Sequence, residues 1–178
     1  MRVPTTAAMS AAMASAEAKL YGWQATYHAA LLINKVKLLF DNESLDQVSN
    51  FVRDQINVNR ALPGFGRPLT GIEERIAPLD ELCNTLSIAS GPHLAAARRL
   101  EGMLKNRHMF LNYGGYVAVR LLDLGFSPVE VYRISIIGFY IGMMPCYIEA
   151  FENEPGTFLP IACEDLLYEG REERPLPE

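Results

Sequence analysis

The sequence predicts an all-α protein, and three observations support this. Helix-start and helix-stop signals are dense, apolar residues recur every three or four positions, and alternating strand patterns are scarce. The chain has 178 residues, of which 49% are hydrophobic and 21% are charged. That length and balance are typical of a globular protein with a buried core rather than a disordered chain.

Three helices are predicted in the first 60 residues. An Ala- and Met-rich helix, capped by Thr5, should run toward Lys19, and its small side chains allow close approach of another helix. A second should begin after Gly22 and end near Phe40. A third should begin at the capping-box pattern Ser44–Gln47. The apolar residues expected to face the core from the second and third helices are Ala25, Ala29, Leu32, Val36, Leu45, Val48, Val52 and Ile56.

A loop divides the chain after these helices. Residues 63–68 begin and end with proline and contain two glycines, so they should form a tight turn rather than a helix or strand. Thr70 and Glu73 form another capping-box pattern. The helix that it opens is expected to be interrupted at Pro78 and to resume toward Leu86.

Three further helices are predicted after this loop. The first begins at residues 90–92, and the second runs from Asn112 to Leu124 before Gly125. The third begins at Ser127 and ends near Phe151. Its most apolar part, residues 134–148, is shorter than a bilayer span and is predicted to be a buried helix. The prolines and glycine after Asn153 predict an extended tail.

Composition excludes some functions. A net charge of −5 without a basic cluster argues against nucleic acid as a partner. The cysteines Cys83, Cys146 and Cys163 are far apart and odd in number, which favours a reduced, cytoplasmic protein with core thiols. We expect no metal site, because no ligand spacing for one is present. A signal peptide is not expected, since Glu17 and Lys19 interrupt the N-terminal apolar residues.

Five segments, taken in order, resemble the citrate synthase and citryl-CoA lyase superfamily. Leu62 to Leu69 is similar to the family's Pro-Gly-Phe-Gly-His-Pro loop. The other four are Leu20 to Ala25, Asn112 to Gly114 with the helix after it, Gly142 to Glu149, and Tyr168 to Gly170 with Arg174-Pro175. The resemblance covers the whole chain but only about the C-terminal half of a full-length member. It implies a citrate synthase-like helical fold truncated at the N-terminus. Within it, residues 1–60 would be large-domain or dimer helices, 61–152 small-domain helices and 153–178 a tail.

The resemblance also implies that the family's catalytic groups are replaced. Members use an Asp base and two His residues, and these positions are Gly114, Tyr21 and Arg67 in this sequence. The family's carboxylate-binding arginines fall at Phe139 and Leu159. Glycine has no proton acceptor, and arginine stays protonated, so we expect no citrate synthase activity.

Several candidate site residues also have a structural interpretation. Tyr21, Arg67 and His28 are the candidate catalytic groups, although a helix His and a turn Tyr are commonly structural. The predicted substrate-binding residues are Arg67, Asn112, Gly114 and Phe139, with helix capping as the alternative for Asn112. The predicted cofactor-binding residues are Gly64, Gly66 and Arg75.

Two functions remain open from the sequence. One is a catalytically diverged assembly or ligand-binding subunit. The other is an enzyme with a rebuilt pocket for an acyl-CoA or small carboxylic acid, with Arg67 as the anion anchor. No cofactor is required, but a CoA thioester is a possible substrate. The expected assembly is a homodimer, or a hetero-oligomer whose partner supplies the missing half, with the first helix as the contact and no membrane or nucleic acid involved.

Overall fold

The fold is built from helices. The computed structural model describes residues 3–17, 24–59, 62–67, 72–154 and 167. Its helices are α1 Thr5–Ala16, α2 Gln24–Asn42, α3 Leu45–Asn59, α4 Ile76–Thr85, α5 Pro92–Leu104, α6 Tyr113–Asp123 and α7 Pro128–Glu152, with a 3₁₀ turn at Lys105–Arg107. Within these described ranges the β structure is one isolated bridge, between Phe65 and Leu111. The predicted all-α class is therefore confirmed.

Helix α2 lies at the centre of the core. It packs against α3, α5, α6 and α7. Ala29, Ala30, Ile33 and Val36 on α2 are fully buried. The two alanines have short side chains, so the elements that pack there approach the α2 backbone closely. This face, which the 3.6-residue period of the sequence predicted, positions the loop at residues 62–67 and the start of α6.

Local signals determine several helix starts. Ser44 donates its backbone N–H to Gln47 Oε1 at 3.0 Å, and Ser127 does the same to Glu130 Oε2 at 2.7 Å. The capping box predicted at Ser44 and the helix start predicted at Ser127 are thus confirmed, and Ser127 also forms a capping box. At α1 the expected cap is wrong, because Pro4 precedes the first turn and the Thr5 hydroxyl donates instead to the Tyr147 hydroxyl at 3.1 Å.

Helix α4 differs from its prediction. It begins at Ile76, and Pro78 lies within its first turn, where a helix needs no N–H donor. The expected interruption at Pro78 is therefore wrong. Thr70 lies outside the described residues. The carboxylate of Glu73 does not cap this helix, because it binds groups from other elements, as described below.

Two buried polar contacts tie the later helices together. The Asp123 carboxylate at the end of α6 accepts backbone N–H bonds from Gly91, His93 and Leu94, at 3.0, 2.8 and 3.0 Å, and so caps α5 from outside. The buried Tyr116 hydroxyl of α6 donates to Asp80 of α4 and accepts from Arg120 Nε at 2.8 Å. Among the described residues, no buried side-chain nitrogen or oxygen lacks a partner.

Helix α7 is largely exposed, so the prediction of a buried helix at residues 134–148 is wrong. It runs for 25 residues and continues past Pro145, and only 6% of its most apolar window is buried. By length and composition alone it is long enough to cross a bilayer, which the sequence prediction also missed. Ile137, Ile141 and Ile148 are 60%, 65% and 45% exposed. We call the exposed apolar part of α7, residues 137–151, the α7 outer face.

Helix α1 covers another side of α7 and runs antiparallel to it. Thr5 contacts Tyr147 near one end of the pair, and the Tyr132 hydroxyl donates to Glu17 at 3.0 Å near the other end. Met9 is the buried residue of α1.

Two expectations about individual side chains are also wrong. Leu45 is 55% exposed rather than inward-facing. Cys146, on α7, is exposed, whereas Cys83 is the buried thiol that the sequence predicted. Cys163 lies outside the described residues.

Candidate functional site

The glycine loop and the start of α6 form one tightly packed junction. Gly64 and Gly66 have φ angles of +83° and +76°, which side chains rarely adopt. A Cβ on Gly64 would lie 2.9 Å from Ala29 Cβ and 3.0 Å from Gly115 Cα. A Cβ on Gly115 would lie 2.2 Å from the carbonyl oxygen of Gly64. Glycine is therefore required on both sides of this contact, and we call it the loop–α6 junction.

Hydrogen bonds fix the junction. Asn112 donates its backbone N–H to Gly64 O and its side-chain amide to Gly66 O, both at 2.9 Å. Its side-chain oxygen accepts the N–H of Gly115 at 2.9 Å and caps α6. Gly66 N–H donates to Phe110 O at 2.7 Å. The capping role considered for Asn112 is confirmed, and both polar atoms of its side chain are occupied.

Four charged side chains lie beside the loop: Arg67, Glu73, Glu74 and Arg75. Arg75 donates to the two oxygens of Glu73, from Nε at 2.6 Å and from Nη2 at 3.0 Å. Glu73 also accepts the backbone N–H of Tyr113 at 3.2 Å, at the start of α6. Arg67 donates to Glu74 and lies 3.8 Å from Glu73. The two positive and two negative charges of this four-charge cluster balance.

The cluster keeps its acids ionised. The hydrogen bond from Arg75 lowers the pKa of Glu73, although burial of that carboxylate opposes the shift. The hydrogen bond from Arg67 lowers the pKa of Glu74. Carboxylates with lowered pKa values hold their protons less readily, so neither acid is a good general base at neutral pH.

Gly114 leaves space where the resemblance places the family's acid. A Cβ built there would be 3.6 Å from Asn112 Oδ1 and 3.6 Å from Thr26 Cγ2, which are ordinary contacts. The Thr26 hydroxyl donates to Ser135 Oγ of α7 at 2.9 Å. The groups nearest to this position are therefore an amide and a threonine methyl, neither of which is an acid or a base.

The structure brings most of the predicted site residues together. Gly64, Gly66, Arg67, Arg75, Asn112 and Gly114 all belong to the loop–α6 junction or the four-charge cluster. His28 lies on α2, where its ring packs against Tyr27 with the centroids 5.5 Å apart. Phe139 is half-buried on α7, one turn after Ser135. Tyr21 lies outside the described residues, so its predicted role stays a prediction.

Glu73 and Glu74 are the residues that the sequence analysis missed. The sequence pattern placed Glu73 in a capping box and indicated no function for Glu74. The signal was the run Glu73-Glu74-Arg75 a few residues after Arg67, because carboxylates and guanidinium groups close together beside a glycine loop favour mutual pairing. Among the described residues, no group of His, Cys, Asp or Glu is arranged to hold a metal ion.

Comparison with known proteins shows the fold. No protein-family model matches the sequence. No curated protein matches it significantly. The chain is similar to the solved structure of citryl-CoA lyase from Hydrogenobacter thermophilus, with a TM-score of 0.58 and 21% identity over 86% of this chain. The chain spans 60% of the length of that lyase. At this identity the likeness shows the fold alone, and it confirms the predicted citrate synthase-like helical fold.

Proposed function

We propose that this chain is a catalytically diverged citrate synthase-like protein that acts as an assembly subunit and covers its α7 outer face with a second polypeptide. The observation that carries this proposal is the exposure of that face. The apolar window of α7 has a mean hydropathy of 1.5 and is 6% buried. Contiguous exposed apolar surface commonly marks an interaction site, because burial removes it from water at about 25 cal/mol per Å².

The side chains at the loop–α6 junction support the proposal that this chain has lost the family's condensation chemistry. Abstraction of a proton next to a carbonyl needs a positioned acceptor that titrates near the working pH. Gly114 has no side chain, Arg67 remains protonated, and the side chain of Asn112 is engaged with the backbone. The polar groups described at the junction thus hold the fold together.

The partner that we propose is a second copy of the chain or a chain that supplies what the longer lyase contains. The sequence suggested α1 as the contact. Met9 of α1 is buried and α1 packs on α7, whereas Ile137 and Ile141 on the α7 outer face are 60% and 65% exposed. We therefore place the contact on α7, with the exposed side of α1 at its edge. Isologous pairing is the commonest way for one patch to be covered by itself.

Sedimentation of the purified chain at micromolar concentration tests this proposal. We expect a dimer or larger species, and we expect Ile137→Glu with Ile141→Glu to yield a monomer with an unchanged circular dichroism spectrum. Val58→Glu is the matched control, because Val58 is also an exposed apolar residue, 79% exposed, but lies on α3. A monomeric wild type would contradict pairing of two copies of the chain, and binding to lipid vesicles would indicate a bilayer instead of a protein partner.

One observation favours a second function, an enzyme acting on an acyl-CoA or small carboxylic acid. Glu74, which binds Arg67, is 67% exposed, so Arg67 can change partners without burying a charge. Calorimetry with CoA thioesters and with small carboxylic acids tests this function. Absence of binding heat for every compound would contradict it.

A further inference from the structure

The two carboxylates of the four-charge cluster are held very differently. The side chain of Glu73 is 2% exposed and accepts bonds from Arg75 and from the Tyr113 N–H. The side chain of Glu74 is 67% exposed, and Arg67 is the partner that the structure records for it. Glu73 is therefore a fixed part of the fold, whereas Glu74 is a surface side chain resting on Arg67.

Replacing Glu74 by another anion on Arg67 costs little free energy. When Glu74 leaves Arg67, its carboxylate enters water, where it is well solvated, and no charge is left buried on its side. The guanidinium of Arg67, whose side chain is 24% exposed, then presents a planar fork to solvent. Among the described residues, a Cβ built on Gly66 meets no atom within 4 Å, so the backbone described beside Arg67 leaves room.

We propose that Arg67 forms a latent site for a small monocarboxylate and that Glu74 is an internal ligand which the external carboxylate must displace. A carboxylate fits because Glu74 already presents that group to Arg67 through Nη1 and Nη2. One negative charge is preferred because Glu73, 3.8 Å from Arg67, is fixed and repels a second one. This inference deepens the second function above and is independent of assembly at α7.

Propionate is the test ligand, and its binding is followed by the amide NMR signal of Gly66 in the full chain. We expect Glu74→Gln to lower the Kd for propionate about tenfold, because the competing charge and its hydrogen bonds to Arg67 are removed. Glu74→Asp keeps the charge but shortens the reach, so it should lower Kd by a smaller factor. The same substitution should lower the Kd for succinate and for phosphate by a smaller factor than the Kd for propionate.

Two controls separate the site from general electrostatics. Glu43→Gln removes the same charge from an exposed position outside the cluster and should change the Kd less than twofold. Arg67→Ala in the Glu74→Gln background should abolish the gain. Equal Kd values for wild type and Glu74→Gln, a gain that survives without Arg67, or no propionate binding in any variant would each overturn the inference.

The outcome is distinguishable from failure of the second function. Binding of a CoA thioester with no propionate binding in any variant would keep the enzyme hypothesis and remove this site. Propionate binding that Glu74→Gln strengthens, without any thioester binding, would keep this site and leave only a small carboxylic acid as the enzyme's substrate.

Discussion

The loop–α6 junction and the α7 outer face are opposites. At the junction, close glycine contacts and hydrogen bonds use up the groups that the loop and α6 present to each other. On the α7 outer face, side chains such as Ile137 and Ile141 remain 60% and 65% exposed. Groups of this chain complete the first region, whereas the second presents apolar side chains to solvent. Changes at the junction should therefore act on folding, and changes on α7 should act on association.

The largest effect expected at the junction comes from Gly115→Ala. The added Cβ would meet backbone atoms of Gly64 at 2.2 to 2.8 Å, and backbone cannot rotate away as a side chain can. We expect a loss of about 3 to 5 kcal/mol in the free energy of unfolding. Urea denaturation measures it. Gly102→Ala is the control, because its Cβ meets nothing within 4 Å, and it should gain about 0.5 to 1 kcal/mol.

Glu73→Gln should have the next largest effect. It weakens the bonds from Arg75 and from the Tyr113 N–H, and charge-assisted hydrogen bonds are worth about 1.5 to 3 kcal/mol. The exposed neighbour gives the matched control, since Glu74→Gln should change the free energy of unfolding by less than about 0.5 kcal/mol. Equal losses for the two variants would show that burial does not distinguish these acids.

The acid stability of the same pair follows from its pKa. Because the pKa of Glu73 is lowered in the folded protein, its contribution to stability is present above the unfolded value near 4.5 and is lost as the pH falls through the folded value. Melting temperatures between pH 6 and pH 3 should therefore fall less steeply for Glu73→Gln than for wild type.

Tyr116→Phe should cost about 1 to 2 kcal/mol, because it removes a buried hydroxyl that bonds Asp80 and Arg120. Burial, followed by the hydrogen bond to Asp80, raises the pKa of Tyr116 to about 12. The neutral phenol is thus favoured in the folded state, and its contribution is lost as the pH rises from about 10 to about 12. Melting curves over that range should drop more steeply for wild type than for the variant.

The smallest effect on folding is expected from Ile148→Ser, on the α7 outer face, where Ile148 is 45% exposed. At nanomolar concentration, where chains are apart, the melting temperature should match wild type. At high micromolar concentration the wild type should gain stability through association, and the variant should gain less. A concentration-independent difference would place Ile148 in the fold of the single chain.

Local chemistry explains what could be predicted. The capping box at Ser44, the helix start at Ser127 and the turn at Gly64 depend on residues close in sequence, and all were predicted. The start of α4 at Ile76 was not, because Glu73 pairs with Tyr113, 40 residues away. The exposure of α7 was also missed, since a helix that is apolar on all sides is typical of a buried one. The pairing of Arg67 with Glu74 was missed as well, since the two residues are seven positions apart in sequence.

Pro145 adds a polar feature to the α7 outer face, namely a backbone carbonyl without its usual N–H donor. Proline has no N–H, so it cannot donate to the carbonyl of Ile141 one turn earlier, and Ile141 is itself 65% exposed. Hydrocarbon chains cannot satisfy such an oxygen, whereas water or a protein donor can. A surface that presents an N–H or O–H at that depth is thereby favoured over one that is merely apolar. Pro145 thus makes α7 less uniformly apolar than its side-chain composition alone suggests.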